Sequence, residues 1–388
     1  MPHSPTNSDG ASRSLYWDMV RGIGIIAIVL GHTGYFGGAF VYLFHVALFF
    51  FISGFLFDAA KYPDPFRLFA RRISSCWVRF VVYAAGFVFI HNFLLTRGLI
   101  ADTELYNHTT MLAKWLHSFT LQTTEQMQGA LWFVPVWAVS SALFAGCVKA
   151  ARKVQALSAK EMPRTSVGPD ADRPTGMTLP DRTVVILTGL FACLLGLAGA
   201  FLTMRGMGAA YNMQAALTVI PVYYAAWLMR LYLPGFRKYT TWYGWLLSGA
   251  LMHFLNTQGI LIDLVSLKIP GLLYYPVTLL GIYHALCLGN LIEKCRPAAR
   301  TLAVIGRHSF DIMAIHLTVF KLLDYAYFRL VPGAVPENLS AFPVAFRYEL
   351  GPAYILFGVA VPVIIGLLAD RAEHFISARP GGARAPRL

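Results

Sequence analysis

Tyr16-Trp-Asp-Met-Val-Arg21-Gly-Ile-Gly-Ile-Ile-Ala-Ile-Val-Leu-Gly-His32 is an apolar run interrupted by an arginine and a histidine. On a helix, the eleven steps from Arg21 to His32 return to within about 20° of the starting face and rise about 16 Å. The two side chains therefore share one face, about half a bilayer apart. A buried cation and a buried imidazole are both costly in lipid, so stability alone is a poor reason for either. Asp18 stands three residues before Arg21, a spacing that lets the two pair on a helix surface.

The rest of the chain supports a membrane setting. Of its 388 residues, 57% are hydrophobic and 13% charged, with a mean hydropathy of +0.56. Soluble domains carry about 25% charged residues. Apolar runs near bilayer length recur throughout. The fold class expected is all-α, a polytopic membrane protein with about ten transmembrane helices. The predicted spans are 16–36, 39–58, 74–96, 130–149, 183–203, 212–233, 241–257, 271–292, 300–322 and 351–372. The seventh is short and contains His253, which suggests a tilted or partly re-entrant segment. Residues 22–30 could pass for a signal-peptide core. Asp18 and the lack of a clean cleavage site favour an uncleaved first span.

The net charge of +13 would suggest nucleic acid in a soluble protein. Here it is better read as positive-inside bias, and no basic–aromatic surface module points to nucleic acid. With the N-terminus inside, inner segments hold Lys61, Arg67, Arg71, Arg72, Lys149, Arg152, Arg230, Arg237, Lys238, Lys294, Arg300 and Arg307, among others. Outer segments hold only Arg97, Lys114, Arg205, Lys268, Lys321, Arg329 and Arg347. The expected topology is N-in and C-in. The parts are a cytoplasmic tail over 1–15, a membrane-embedded body over 16–373 and a cytoplasmic tail over 374–388. A flexible, proline-rich inner loop is predicted over 150–182. Outside, the amphipathic run Thr110–Phe119, with Trp115 toward one side, is expected to lie on the membrane surface. The five cysteines form no Cys-x-x-Cys pair, so neither a disulfide framework nor a metal site is expected.

Placing the spans assigns depths to the polar residues. Arg21 lies near the inner face. His32 lies about 6 Å inside the outer end of its span, by the helical rise. His45, His316 and Trp132 fall at a similar depth in three other spans. A membrane histidine often only bonds a neighbouring helix, worth about 1 kcal/mol. That reading suits His91, His253 and His284, and it is the first to weigh for His45 and His316. For His32, coupling to an arginine on the same face favours function. Ser53-Gly54 reads as a close-packing step between helices. Arg67, Arg71 and Arg72 are positive-inside charges that could also hold phosphates. Arg307, His308 and Asp311 open the ninth span, where His308 reads as solvated.

The first two spans closely resemble the acyltransferase family 3 membrane proteins. The Arg-x10-His hallmark of their first helix is matched by Arg21 and His32. Phe44-His45 through Phe49-Phe-Phe-Ile-Ser-Gly-Phe55 resembles the family's second-helix signature. Leu131-Trp-Phe-Val-Pro135 resembles a motif of its fucose 4-O-acetylase-like branch. Ile305-Gly-Arg-His-Ser-Phe-Asp-Ile-Met-Ala-Ile-His316 resembles its late Gly-Arg-x-Ser…His helix. The matches spread from the first span to the ninth. The family often shows Arg-x-x-Arg before the third span, whereas Arg67-Leu-Phe-Ala-Arg71-Arg72 does not meet that spacing.

The resemblance implies a bacterial inner-membrane O-acyltransferase. It would move an acyl group, most often acetyl from cytoplasmic acetyl-CoA, to a hydroxyl of an envelope or exported carbohydrate, which a lipid could carry. Acyl-CoA enters as a substrate, and no resident cofactor is implied. His32 and Arg21 would be catalytic. Asp18, Arg71, Arg72 and Arg307 would bind or orient the donor, and His45, Trp132 and His316 would face the acceptor. Membrane lipids are the other expected partners. His32 could act as a base or accept the acyl group first. The rival class is a glycolipid or polysaccharide transporter or flippase with the same lining and no chemistry. The absence of a detectable internal repeat speaks against it.

Overall fold

The computed structural model describes residues 14–102, 104–161, 180–334 and 339–377. Most of both expected tails and residues 162–179 of the expected loop lie outside the described residues. The chain is all-helical; among the described residues the β-structure is one isolated bridge, Asp263 with Lys268. The helices are α1 (Leu15–Thr33), α2 (Gly38–Tyr42), α3 (His45–Phe55), α4 (Pro65–Ser74) and α5 (Trp77–Thr96). Then follow α6 (His108–Phe119), α7 (Phe133–Glu161), α8 (Arg182–Met204), α9 (Met213–Thr218) and α10 (Ile220–Tyr232). The last are α11 (Trp242–Thr257), α12 (Tyr274–Ile292), α13 (Arg296–Arg307), α14 (Ser309–Leu330) and α15 (Gly351–Ser377).

By length and composition, seven helical segments among the described residues could cross a membrane, or eight if the bent pair α9–α10 is one span. Large apolar side chains such as Phe89, Ile186, Leu247 and Leu356 face outward, as a lipid-facing surface requires. Every predicted span is helical in large part, but several differ in form. The first ends at Thr33, because Gly34 turns left-handed (φ 60°) and closes the helix. His32 therefore sits in the last turn of α1 rather than inside it. The second is broken between α2 and α3, which leaves His45 at the start of a helix. The sixth bends by 42° between α9 and α10. The seventh is one continuous helix, capped by Thr241 accepting from the Gly244 amide.

The ninth differs most. In place of one span over 300–322 there are two helices that meet at His308. α13 is amphipathic and carries Arg296, Arg300 and Arg307, while α14 carries Asp311, Lys321, Asp324 and Arg329 and is not among the helices apolar enough to cross a membrane. Lys321, read from sequence as an outer-loop charge, is wholly buried in α14 and paired with Asp324 at 3.1 Å. The loop expected from residue 150 begins instead as a continuation of α7 to Glu161.

α1 is the hub of the bundle and packs on α2, α3, α12, α13, α14 and α15. Met19, Val20 and Val29 on it are fully buried. Its tightest partner is α13. A Cβ at Gly306 would stand 1.8 Å from the Asp18 carbonyl oxygen, and one at Gly22 would stand 2.1 Å from that of Leu302. Two glycines thus bring the backbones into direct contact. Gly54 does the same for α3 against Tyr223 of α10, at 2.5 Å.

The helices alternate between two ends. One gathers basic residues: Lys149 pairs with Asp64, Arg230 donates to the carbonyls of Phe55 and Phe57, and Arg237 pairs with Glu293. The other joins the end of α1 to the start of α15, where Tyr35 packs on Gly351 and Phe36 on Tyr348. Gln122 reaches Tyr211 at the same end.

Gly306→Ala should overpack the α1–α13 contact and cost about 1–3 kcal/mol. Thermal melting in detergent is expected to fall, whereas Gly86→Ala, with no atom within 4 Å of the new methyl, should leave it level or raise it.

Candidate active site

A cavity of about 640 Å3 lies beside α1 and reaches from the basic end to the opposite one. Arg21 and His32 both line it, as their shared helical face requires. At the basic end it is lined by Arg21, Arg72 and Arg307. At the other end it is lined by His32, His45, Trp132, the 262–266 segment and Phe342-Pro343.

The arginines are held in different ways. Arg21 Nη1 donates to Asp18 Oδ1 at 2.8 Å, and Asp18 is only 2% exposed. That pair fixes the guanidinium against the cavity wall. Arg72, in the last turn of α4, lays its guanidinium over the Trp137 ring at 4.4 Å. Trp137 is oriented in turn, because its indole Nε1 donates to Ser53 Oγ at 2.8 Å. The Arg72 Nε is buried with no hydrogen-bond partner. Burial holds this guanidinium below the usual arginine range, a pull that a bound anion would reverse. Arg307, at the end of α13, is exposed at the cavity's rim, brought beside α1 by the Gly306 contact.

The histidines form a relay whose tautomers follow from their partners. His316 Nδ1 stands 2.8 Å from the Ile312 carbonyl and 3.0 Å from that of Met313. Carbonyl oxygens only accept, so Nδ1 carries the proton and, in a neutral ring, Nε2 is the acceptor. His32 Nδ1, 2.8 Å from that Nε2, must then donate. The two rings lie nearly parallel, 7° apart. For neutral rings this leaves the lone pair of His32 on Nε2, with its other nitrogen anchored. His45 is set in the same way, with Nδ1 2.8 Å from the Val41 carbonyl and Nε2 as the lone-pair nitrogen.

The structure thus brings Arg21, Arg72, Arg307, His32, His45 and Trp132 to one cavity, with Asp18 and His316 directly behind it. Arg71 lies apart, exposed and stacked over Tyr62 at 5.6 Å. His308 is buried rather than solvated, 3.3 Å from Asp311, which also accepts from the Tyr83 hydroxyl. His91 is tied to Glu125 at 2.7 Å and stacks on Tyr106. The lining residues not singled out in the sequence include Trp137, Asp263, Ser266 and Tyr274. Trp137 had a signal, since it lies two residues beyond the Leu131–Pro135 motif. Asp263 and Ser266 had none, because a polar turn between helices reads as solvent-facing. Among the described residues no group of three or more His, Cys, Asp or Glu could hold a metal ion.

A family model described as an acyltransferase domain matches residues 14–371, nearly the whole chain. The chain belongs to acyltransferase family 3. This member is therefore a membrane acyltransferase with several apolar helices. No curated protein and no solved structure matches it.

In this acyltransferase, His32→Ala should lower turnover at least 10²-fold, the usual scale of a lost general base. His316→Ala should lower turnover by a smaller factor, since His316 meets the cavity only through His32. Both are read as acyl transfer at equal amounts of inserted protein.

Proposed function

We propose that this protein transfers an acyl group, acetyl in the first instance, from cytoplasmic acyl-CoA to a hydroxyl of an envelope or exported carbohydrate in a bacterial inner membrane. The observation that carries the reading is the polarity of one cavity. Three arginines stand at one end and an anchored imidazole lies beyond them. Acyl-CoA is a polyanion with a long thin arm. Its phosphates match the guanidiniums, Arg72 above all, with its unpartnered Nε. Its thioester could then reach past Arg21 toward His32.

The chemistry follows from the tautomer. His32 Nε2 takes the proton of the acceptor hydroxyl as the oxygen attacks the thioester carbonyl. A carbon–oxygen bond forms, the carbon–sulfur bond breaks, and the coenzyme leaves as a thiolate. The imidazolium, steadied by His316 through Nδ1, returns its proton to that sulfur. Charge at the basic end supports an inward-facing donor entrance by the positive-inside rule. The leaning to acetyl rests on the resemblance of Leu131–Pro135 to the fucose 4-O-acetylase-like branch.

Mass spectrometry of surface glycans from cells with and without the protein tests the reading. A difference of one acyl group per modified sugar is expected; identical glycan masses would contradict it. In the purified protein, Arg72→Ala should raise the KM for acetyl-CoA about tenfold, the scale of one charged hydrogen bond, with turnover at saturating donor nearly unchanged.

A further inference from the structure

We propose that Asp263 is the group that reads the hydroxyls of the acceptor, making the 259–270 segment its specificity wall. This rests on the acyltransferase reading above and adds a residue and a ligand chemistry to it. Asp263 is the only carboxylate that lines the cavity among the described residues, and it lies at the end away from the arginines. A coenzyme A polyanion cannot be held there. The site suits a neutral ligand rich in hydroxyls.

The segment is built to present that carboxylate. Asp263 and Lys268 exchange backbone hydrogen bonds of 2.7 and 2.8 Å, closing a tight turn. Asp263 Oδ1 accepts from the Val265 and Ser266 amides at 3.0 Å each. Oδ2 accepts from Ser266 Oγ at 2.6 Å. A carboxylate has about four acceptor positions, so Oδ2 retains capacity for a further donor. Among the described residues no basic side chain pairs with Asp263. Its charge is close enough to act on Tyr42 and His45, which line the same cavity.

The surroundings complete a sugar-like fit. Tyr274 is fully buried, yet its hydroxyl, directed toward Thr278, makes no hydrogen bond of good geometry. Half-buried Trp132 offers an aromatic face across the cavity. A pyranose has hydroxyls for a carboxylate and a tyrosine and C–H faces for an indole. Its free hydroxyl would then be presented to His32 Nε2.

Asp263→Asn isolates the charge, because an amide oxygen can still accept the Val265 and Ser266 amides. Purified wild type, Asp263→Asn and Tyr274→Phe are assayed for coenzyme A release from acetyl-CoA with a panel of methyl pyranosides. The expected result is that a pyranoside stimulates release by the wild type. Asp263→Asn should then raise the KM for that pyranoside about tenfold, the loss of one charged hydrogen bond. The KM for acetyl-CoA should stay within about twofold, which also reports an intact fold. Tyr274→Phe should raise the same pyranoside KM by a smaller factor. An unchanged pyranoside KM in Asp263→Asn, or a defect confined to acetyl-CoA, overturns the assignment. So does a wild type that binds acetyl-CoA in calorimetry but is stimulated by no pyranoside. Failure of the wild type to bind acetyl-CoA would instead overturn the donor reading on which the inference rests.

Discussion

Backbone contact between α1 and α13, at Gly22 and Gly306, is the constraint on which the site depends. With no side chain between them, α13 ends beside Arg21 and delivers Arg307 to the same cavity. Past the single linking residue His308, α14 begins, and its second turn carries His316 to within 2.8 Å of His32. A larger residue at either glycine would separate the helices and displace both the arginine rim and the histidine relay. The Asp18–Arg21 pair lies at the same crossing: the Asp18 carbonyl faces Gly306 while its carboxylate holds the guanidinium.

Beyond that crossing, buried polar networks fix the walls at the histidine end. Lys321 pairs with Asp324 and donates to the carbonyls of Leu339 and Ala341, while Asp324 accepts from the Ala345 amide and the Tyr354 hydroxyl. These groups are satisfied by one another, which is the condition for burying charge. They tie α14 and α15 to the segment that bears Phe342 and Pro343 on the cavity. A second network joins His91, Glu125, Tyr106 and Lys114, and Gln128 donates to the Ala84 carbonyl at 3.0 Å. It holds the 97–129 segment against α5, just before Trp132. Order at this end thus comes from hydrogen bonds between loops and helix ends.

Much of this was legible in the sequence because helical periodicity is. Spacing alone puts Arg21 and His32 on one face, and both line one cavity. Depth along the spans grouped His32 with His45, His316 and Trp132. What spacing cannot supply is rotation: that His316 faces His32 through Nε2 depends on how α14 turns after the break at His308. Hydropathy averaged across that break merged an amphipathic helix with the first half of α14 and drew one span where there are two helices. Arg71 and Arg72 were indistinguishable in sequence, yet about 100° of helix separates them, and only Arg72 meets Trp137. Asp263 was invisible because its position in the cavity is decided by the turn that Lys268 closes.

Donor and acceptor are proposed to approach His32 from opposite ends of one cavity. Single cysteines placed along α1, with the exposed Cys193 and Cys295 replaced by serine, can be probed with a membrane-impermeant thiol reagent from either side. Acetyl-CoA is expected to protect positions near Arg21 from reagent added inside, and a methyl pyranoside to protect positions near Thr33 from reagent added outside. Protection of inner positions alone by both ligands would contradict a two-ended approach and place the whole reaction at the cytoplasmic face.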